Sequence, residues 1–362
     1  MEVRYRDLSV QNPQKEELLK AVDKVLSHGQ ILLGPEVTEF EKKVSSHNKT
    51  KFAVGVGCGT DAIFLSLKAL GIGQGDEVIT TSLSWIATAN AIVSCGAKPV
   101  FVDIDDDLNI NPDVIQNYIT PKTKAIVPVH FTGRLCKMEK ILEIAKAKNL
   151  HVIEDSAQAF GSNLNGKMAG SFGTTGCFSM NAMKNFSSFG EAGVISLDNE
   201  ELKEKLISLR YNGTINKEDC HTPSINSRID TIHAAMMNIN FKYLKDKVDR
   251  MRKISHYYNQ NLQNIIKCPL EDESYHTYYS YTILVEKRFA LASYLLDHGI
   301  QTKIQHPILM PFHTGYKTHN TELYIPVAIN LVSQILCLPN HEKLTDIQVD
   351  YVVDKIKKFF KK

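Results

Sequence analysis

The chain has 362 residues, 43% hydrophobic and 23% charged, ordinary for a soluble globular protein and long enough for two or three domains. Lys+Arg 42 against Asp+Glu 40 leaves a net charge of +2, so no global field argues for nucleic acid or an anionic membrane as partner. Seven cysteines without a C-x-x-C pair argue against a metal cluster and a disulfide framework, and for a reduced, cytoplasmic setting. Met1–Asp7 lacks the apolar core of a signal peptide, and no apolar run approaches a membrane span.

Taken in order, residues 1–30 read as an arm carrying one amphipathic helix, Lys15–Leu26, with apolar residues at helical spacing. Gly34-Pro35 interrupts it and Glu36–Asn48 predicts a second helix. From residue 51 the pattern alternates. Strand-like runs are expected at Ala53–Gly57, Glu77–Thr81, Pro99–Asp103, Ala125–Val129, His151–Glu154, Cys177–Met180 and Val194–Leu197. Helices are expected at Thr60–Leu70, Ile86–Cys95, Pro112–Ile119 and Met138–Asn149. This is the βα alternation of a mainly parallel sheet with helices on both faces. Tyr211–Ser227 is polar and irregular, and a long helix from Arg228 to about Asn264 carries the chain away. A smaller unit follows: strand Tyr278–Val285, helix Phe289–His298 stopped by Gly299, strand Ile300–Ile304 and helix Asp346–Phe359. The pattern change sets a domain boundary near residue 250, giving units 1–250 and 251–362.

Three stretches carry chemistry. Gly57-Cys58-Gly59-Thr60 is a small-residue turn that opens a helix, where backbone N–H groups bind phosphate without added charge. By itself it reads better as a plain strand-to-helix turn capped by Thr60. Val152–Asp155 delivers a carboxylate at a strand end, the edge where parallel sheets bind ligands; an N-cap role would also suit Asp155. Glu154 faces the other way by strand parity. Gly176–Gly193 places one lysine, Lys184, in a glycine-bounded loop between two strands.

Phosphate cradle, strand-end aspartate and loop lysine occur in the order used by fold-type I pyridoxal phosphate enzymes. From about Gly34 to Asn340 the sequence resembles the DegT/DnrJ/EryC1/StrS family of sugar aminotransferases. The resemblance implies a fold-type I α/β architecture, with a large domain built on a seven-stranded, mainly parallel sheet and a small C-terminal α+β domain. It implies pyridoxal 5'-phosphate as cofactor and no metal. Lys184 is then the covalent anchor and proton carrier, and Asp155 the partner of the pyridine nitrogen. Gln158 lies near the phenolic oxygen, Gly59, Thr60 and Ser179 hold the phosphate, and Trp85 stacks on the ring. Asn226 reaches the partner's phosphate in a homodimer with shared active sites, although Asn226 before a long helix also reads as an N-cap. Phe160, His233, Gln305-His306-Pro307 and Met180–Met183 depart from the family pattern, and are expected where the family meets its substrate. The implied reaction moves an amino group from L-glutamate to a keto group on a nucleotide-linked sugar. Alternatives are a small phosphorylated ketone as acceptor and a non-catalytic cofactor-binding regulator; Lys184 argues against the dehydratases that lack this lysine.

Overall fold

Apolar residues alternate along the strands, and this decides the layout. The computed structural model describes residues 1–319 and 323–361. Seven strands form one sheet: β1 (Phe52–Val56), β2 (Glu77–Thr81), β3 (Lys98–Val102), β4 (Thr123–Val127), β5 (His151–Asp155), β6 (Thr175–Ser179) and β7 (Gly193–Leu197). Their spatial order is β1-β7-β6-β5-β4-β2-β3. All neighbours run parallel except β7, which is antiparallel to β1 and β6. The expected seven-stranded, mainly parallel sheet is therefore present.

The helices are α1 (Gln14–His28), α2 (Pro35–Asn48), α3 (Gly59–Ala69), α4 (Ala87–Ser94), α5 (Met138–Lys148), α6 (Glu200–Leu209) and α7 (Thr231–Leu262). Val78, Ala125, Ile153, Cys177 and Ile195 pack with α3, α4 and α6. Their chain neighbours point the other way: Ile79, Ile126 and Val152 pack under α5, and Phe178 and Val194 under α2 and α7. The period-2 alternation thus buries both faces, as a parallel sheet requires. The expected helix Pro112–Ile119 is a four-residue helix, Pro112–Ile115, followed by a 3-10 turn, Gln116–Tyr118.

The smaller unit contains β8 (Tyr281–Leu284), α8 (Arg288–Asp297), α9 (Pro326–Val332), β9 (Ile335–Leu338) and α10 (Asp346–Phe360). Strands β8 and β9 pair antiparallel. The strand expected at Ile300–Ile304 is instead two isolated bridges, Val3 to Ile300 and Lys303 to Cys337; the two residues have different partners, so no ladder forms. Helix α7 is continuous through residue 250. Its Leu244 and Val248 pack in the core under the large sheet, while Ile254, Tyr258 and Leu262 pack with β8, β9, α8 and α10. We propose that the two units divide between Val248 and Ile254, without a linker. The arm crosses this division, because Val3 is buried in the small-unit core. No helix among the described residues is long and apolar enough to cross a membrane.

Candidate active site

The carboxyl ends of β1, β2, β5 and β6 open onto one cleft of about 650 Å³, a size that accommodates a cofactor together with a substrate. Its first wall is the start of α3. Cys58 caps that helix, its Sγ accepting from Asp61 N, and the Gly59 and Thr60 N–H groups belong to a first turn that has no intrahelical acceptors. Glycine at 59 follows from close approach: a Cβ there would lie 2.6 Å from Ser179 Cβ. The helix start therefore rests directly against the end of β6, and Gly59, Thr60 and Ser179 line one corner of the cleft. This is a fit for a phosphate group. Gly59→Ala should force α3 and β6 apart and weaken cofactor retention about tenfold or more, measured as cofactor lost on dialysis. Unchanged retention would show that these backbone donors are not used.

Asp155 ends β5 and is 5% exposed. Its Oδ2 accepts from Thr88 Oγ1 at 2.6 Å and its Oδ1 from Ala157 N at 3.2 Å. Burial pushes this carboxyl up, while the Thr88 hydroxyl, the Ala157 N–H, Lys184 and His130 hold it back. A buried carboxylate in this state gains most from a cation placed beside it. Glu154 points to the opposite side, as parity requires. It accepts from the N–H groups of Gly170, Phe172 and Gly173 at 2.7–2.8 Å and from His130. Cys136 N donates to His130 Nδ1, so the ring proton sits on Nε2 and goes to Glu154 Oε2 at 2.9 Å. This network fixes the loop before β6. Gln158 is buried, and its Oε1 accepts from Thr132 N at 2.9 Å and from Gln305 Nε2 at 3.4 Å. That assignment leaves the Gln158 amide NH2 for a ligand.

Lys184 lies in the loop between β6 and β7, its Nζ 4.6 Å from the Tyr279 ring centroid. Arg6 also packs on Tyr279, 5.1 Å from the centroid, and donates to the Tyr279 carbonyl. Burial alone would raise the Tyr279 phenol, but Lys184, Arg6 and Lys303 bring it below the usual tyrosine value. Trp85 is 60% exposed, and it lines the cleft. Its ring lies 5.8 Å from that of His306.

Of the residues expected from sequence, Gly59, Thr60, Trp85, Asp155, Gln158, Ser179 and Lys184 all line this one cleft. Asn226 does not. It is exposed, with its Oδ1 accepting from Arg228 Nε at 2.8 Å, and the α7 cap position is Asp230. Its neighbour Ser227 ties the segment to α3, accepting from Gly57 N at 3.0 Å and donating to Asp61 Oδ2 at 2.6 Å. The departures from the family pattern divide. Gln305, His306, Pro307, Asn181 and Met183 line the cleft. Phe160 and Met180 do not, contrary to expectation; both are buried in the core with Phe178 and Phe186, and Phe160 stacks between His47 and Phe186. His233 lies against Gly190, away from the cleft lining. Sequence reading missed Thr88, Tyr279 and Lys303. Thr88 was findable one helical turn after Trp85; Tyr279 and Lys303 carried no local signal, since the small unit brings them in.

The profile of the DegT/DnrJ/EryC1/StrS aminotransferase family matches residues 12–357. The chain is 37% identical over 348 residues to the dTDP-3-amino-3,6-dideoxy-alpha-D-galactopyranose transaminase of Aneurinibacillus thermoaerophilus, covering 95% of this chain and 96% of that one. It is 38% identical over 375 residues to a pleiotropic regulatory protein of Geobacillus stearothermophilus, covering 100% and 99%. The structure of ntda from Bacillus subtilis with bound cofactor PMP superimposes with a TM-score of 0.94 at 31% identity, covering 100% of this chain and 86% of that one. A matching cleft, a family profile over nearly the whole length and relatives at this identity agree: the chain belongs to the DegT/DnrJ/EryC1/StrS aminotransferase family.

Proposed function

We propose that the protein is a PLP-dependent sugar aminotransferase that moves an amino group from L-glutamate to a keto group on a nucleotide-linked sugar. The observation that carries this reading is the convergence of Lys184, Asp155, Gln158 and Ser179 with the start of α3 on one cleft. Relatives named as nucleotide-sugar transaminases support the acceptor class, and neighbours with bound cofactor support pyridoxal phosphate. The donor is the part of the proposal that rests on the family resemblance alone.

The cofactor, when bound, supplies an electron sink and a carrier for the amino group. The chain's residues do the rest. Gly59 and Thr60 N–H groups and the Ser179 hydroxyl take the phosphate. Asp155 keeps a positive charge at the ring nitrogen, and Thr88 keeps Asp155 aimed. The Gln158 NH2 donates to the phenolic oxygen, and Trp85 covers a face of the ring. Lys184 is the covalent anchor, and its freed Nζ moves a proton between the reacting carbons. Donor and acceptor use the site in turn, so ping-pong kinetics are expected. Mass spectrometry of products from a panel of keto-sugar nucleotides and small keto phosphates tests the acceptor. Product from the small phosphates alone would replace the sugar by a phosphorylated ketone.

A second reading, a cofactor-binding regulator, is favoured by the name of one relative. It predicts a stoichiometric spectral change with glutamate and no turnover with any ketone.

The proposal includes a cytoplasmic homodimer with shared active sites. Exposed Asn226, held at the surface by Ser227 beside the start of α3, supports a role toward a partner copy. Mixing Lys184→Ala with Asn226→Ala chains tests it. Heterodimers carry one site with both defects and one with neither. At limiting cofactor the mixture should regain activity that neither parent shows, while the Asn226→Ala parent mainly loses cofactor retention, a hydrogen bond to a charged phosphate contributing about 1.5–3 kcal/mol. No gain in the mixture, or wild-type retention in Asn226→Ala, would refute the shared site.

A further inference from the structure

The charged side chains that line the cleft are two carboxylates, Asp155 and Glu191, and two amines, Lys184 and Lys303. Three of the four have a hydrogen-bond or cofactor partner. Asp155 accepts from Thr88 and Ala157, and Glu191 accepts from the Asn181 amide. Lys184 is committed to the cofactor on the reading above, on which this inference rests. Lys303 has no ion pair among the described residues. Its side chain is exposed, yet its backbone is fixed by a pair of hydrogen bonds to Cys337, N to O at 3.1 Å and O from N at 2.8 Å. A rigid base thus presents to the cleft an ammonium group whose ring contact is Tyr5, 6.0 Å from the centroid.

We propose that Lys303 is the substrate-anion anchor of this cleft, the cation that receives a phosphate or carboxylate oxygen of the substrate standing beside Lys184. The neighbours agree with a positive field on this wall. The Tyr279 phenol is held below its usual value by Lys184, Arg6 and Lys303 against the effect of burial. His306 is pushed down to about 3 by burial, with Lys184, Lys303 and His313 adding to the shift. His306 is therefore neutral and accepts from Gln305 Nε2 at 3.2 Å; it shapes the wall without supplying charge. With Lys184 engaged, Lys303 is the cation left on this wall to neutralise an incoming oxyanion. Both substrates of the proposed reaction carry one: the acceptor its phosphates, the donor its carboxylates. A solvated surface lysine is the plain alternative.

Calorimetry on the cofactor-loaded protein separates these. Loading occupies the phosphate corner at Gly59 and Ser179, so inorganic pyrophosphate reports the acceptor's phosphates and glutarate the donor's carboxylates. Lys303→Gln should weaken at least one probe about tenfold, as expected for a lost charge-assisted hydrogen bond. Lys303→Arg should stay within about threefold of wild type, because the charge is kept. Loss for pyrophosphate alone assigns the anchor to the acceptor, loss for glutarate alone to the donor, and loss for both to a subsite used in each half-reaction. Equal affinity of wild type and Lys303→Gln for both probes overturns the proposal, as does failure of both probes to bind wild type at millimolar concentration. Failure of the aminotransferase reading shows differently, as a wild type that takes up no cofactor, or one that takes it up and turns over no ketone.

Discussion

Lys184→Ala will stay folded and lose transamination. Lys184 is a half-buried loop residue outside the hydrophobic clusters, and its Nζ lies 4.6 Å from the Tyr279 ring centroid. Such a contact contributes about 0.5–1 kcal/mol, so the melting temperature should fall by no more than about 2–4 °C. Activity should fall by at least about 10⁴-fold, because one substitution removes both the covalent anchor and the proton carrier. The complementary measurement is reduction with borohydride: wild type should carry the cofactor on the peptide containing Lys184, and the variant should carry none. Label on another lysine would remove the assignment.

Asp155→Asn is the second large effect. Asparagine keeps the shape; its Oδ1 can accept from Ala157 N and its NH2 can donate to the Thr88 hydroxyl oxygen, so folding should be preserved. What it loses is the charge. A buried carboxylate pushed up by desolvation is strongly stabilised by a positive charge at the ring nitrogen, and the asparagine amide offers no such attraction. The rate of the half-reaction with glutamate, followed by cofactor absorbance under single-turnover conditions, should drop at least ~100-fold, equivalent to about 2.7 kcal/mol. Thr88→Val should show a smaller loss in the same direction, because it removes the bond that aims the carboxylate without removing the charge. Near-normal rates in Asp155→Asn would reduce Asp155 to a turn residue bonded to Ala157.

The different fates of neighbouring residues show what each level of structure decides. Strand parity alone separated Asp155 from Glu154: the cleft takes one, and His130 with three loop N–H groups takes the other. Gly59 could be read as a phosphate turn from its small neighbours, but its reason, contact with Ser179 across 120 residues of chain, could not. Helix α9 went unread because part of its N-terminal cap is tertiary. Asp103, at the end of β3, accepts from Val327 N at 3.0 Å and Ala328 N at 2.9 Å, and no local residue announces it. Phe160 shows the reverse: its place inside a functional motif predicts a substrate contact, whereas the following chain turns it into an aromatic core with His47 and Phe186.

Sequence by itself determined the sheet and the carboxyl-edge position of the site, through local rules: alternation of period 2, small residues at a helix start, a carboxylate at a strand end. The family resemblance, rather than a local rule, pointed to Trp85, Gln158, Ser179 and Lys184, which line the cleft with Gly59, Thr60 and Asp155. Tertiary structure alone decided the far wall. Tyr279 and Lys303 belong to the small unit and enter the cleft, beside the Gln305-His306-Pro307 stretch that the family resemblance pointed to, because α7 carries the chain from one core to the other between Val248 and Ile254. The arm bridges Val3 to Ile300 and braces Tyr279 through Arg6. Contacts made over hundreds of residues depend on how two cores dock, and no window of neighbouring residues contains that information.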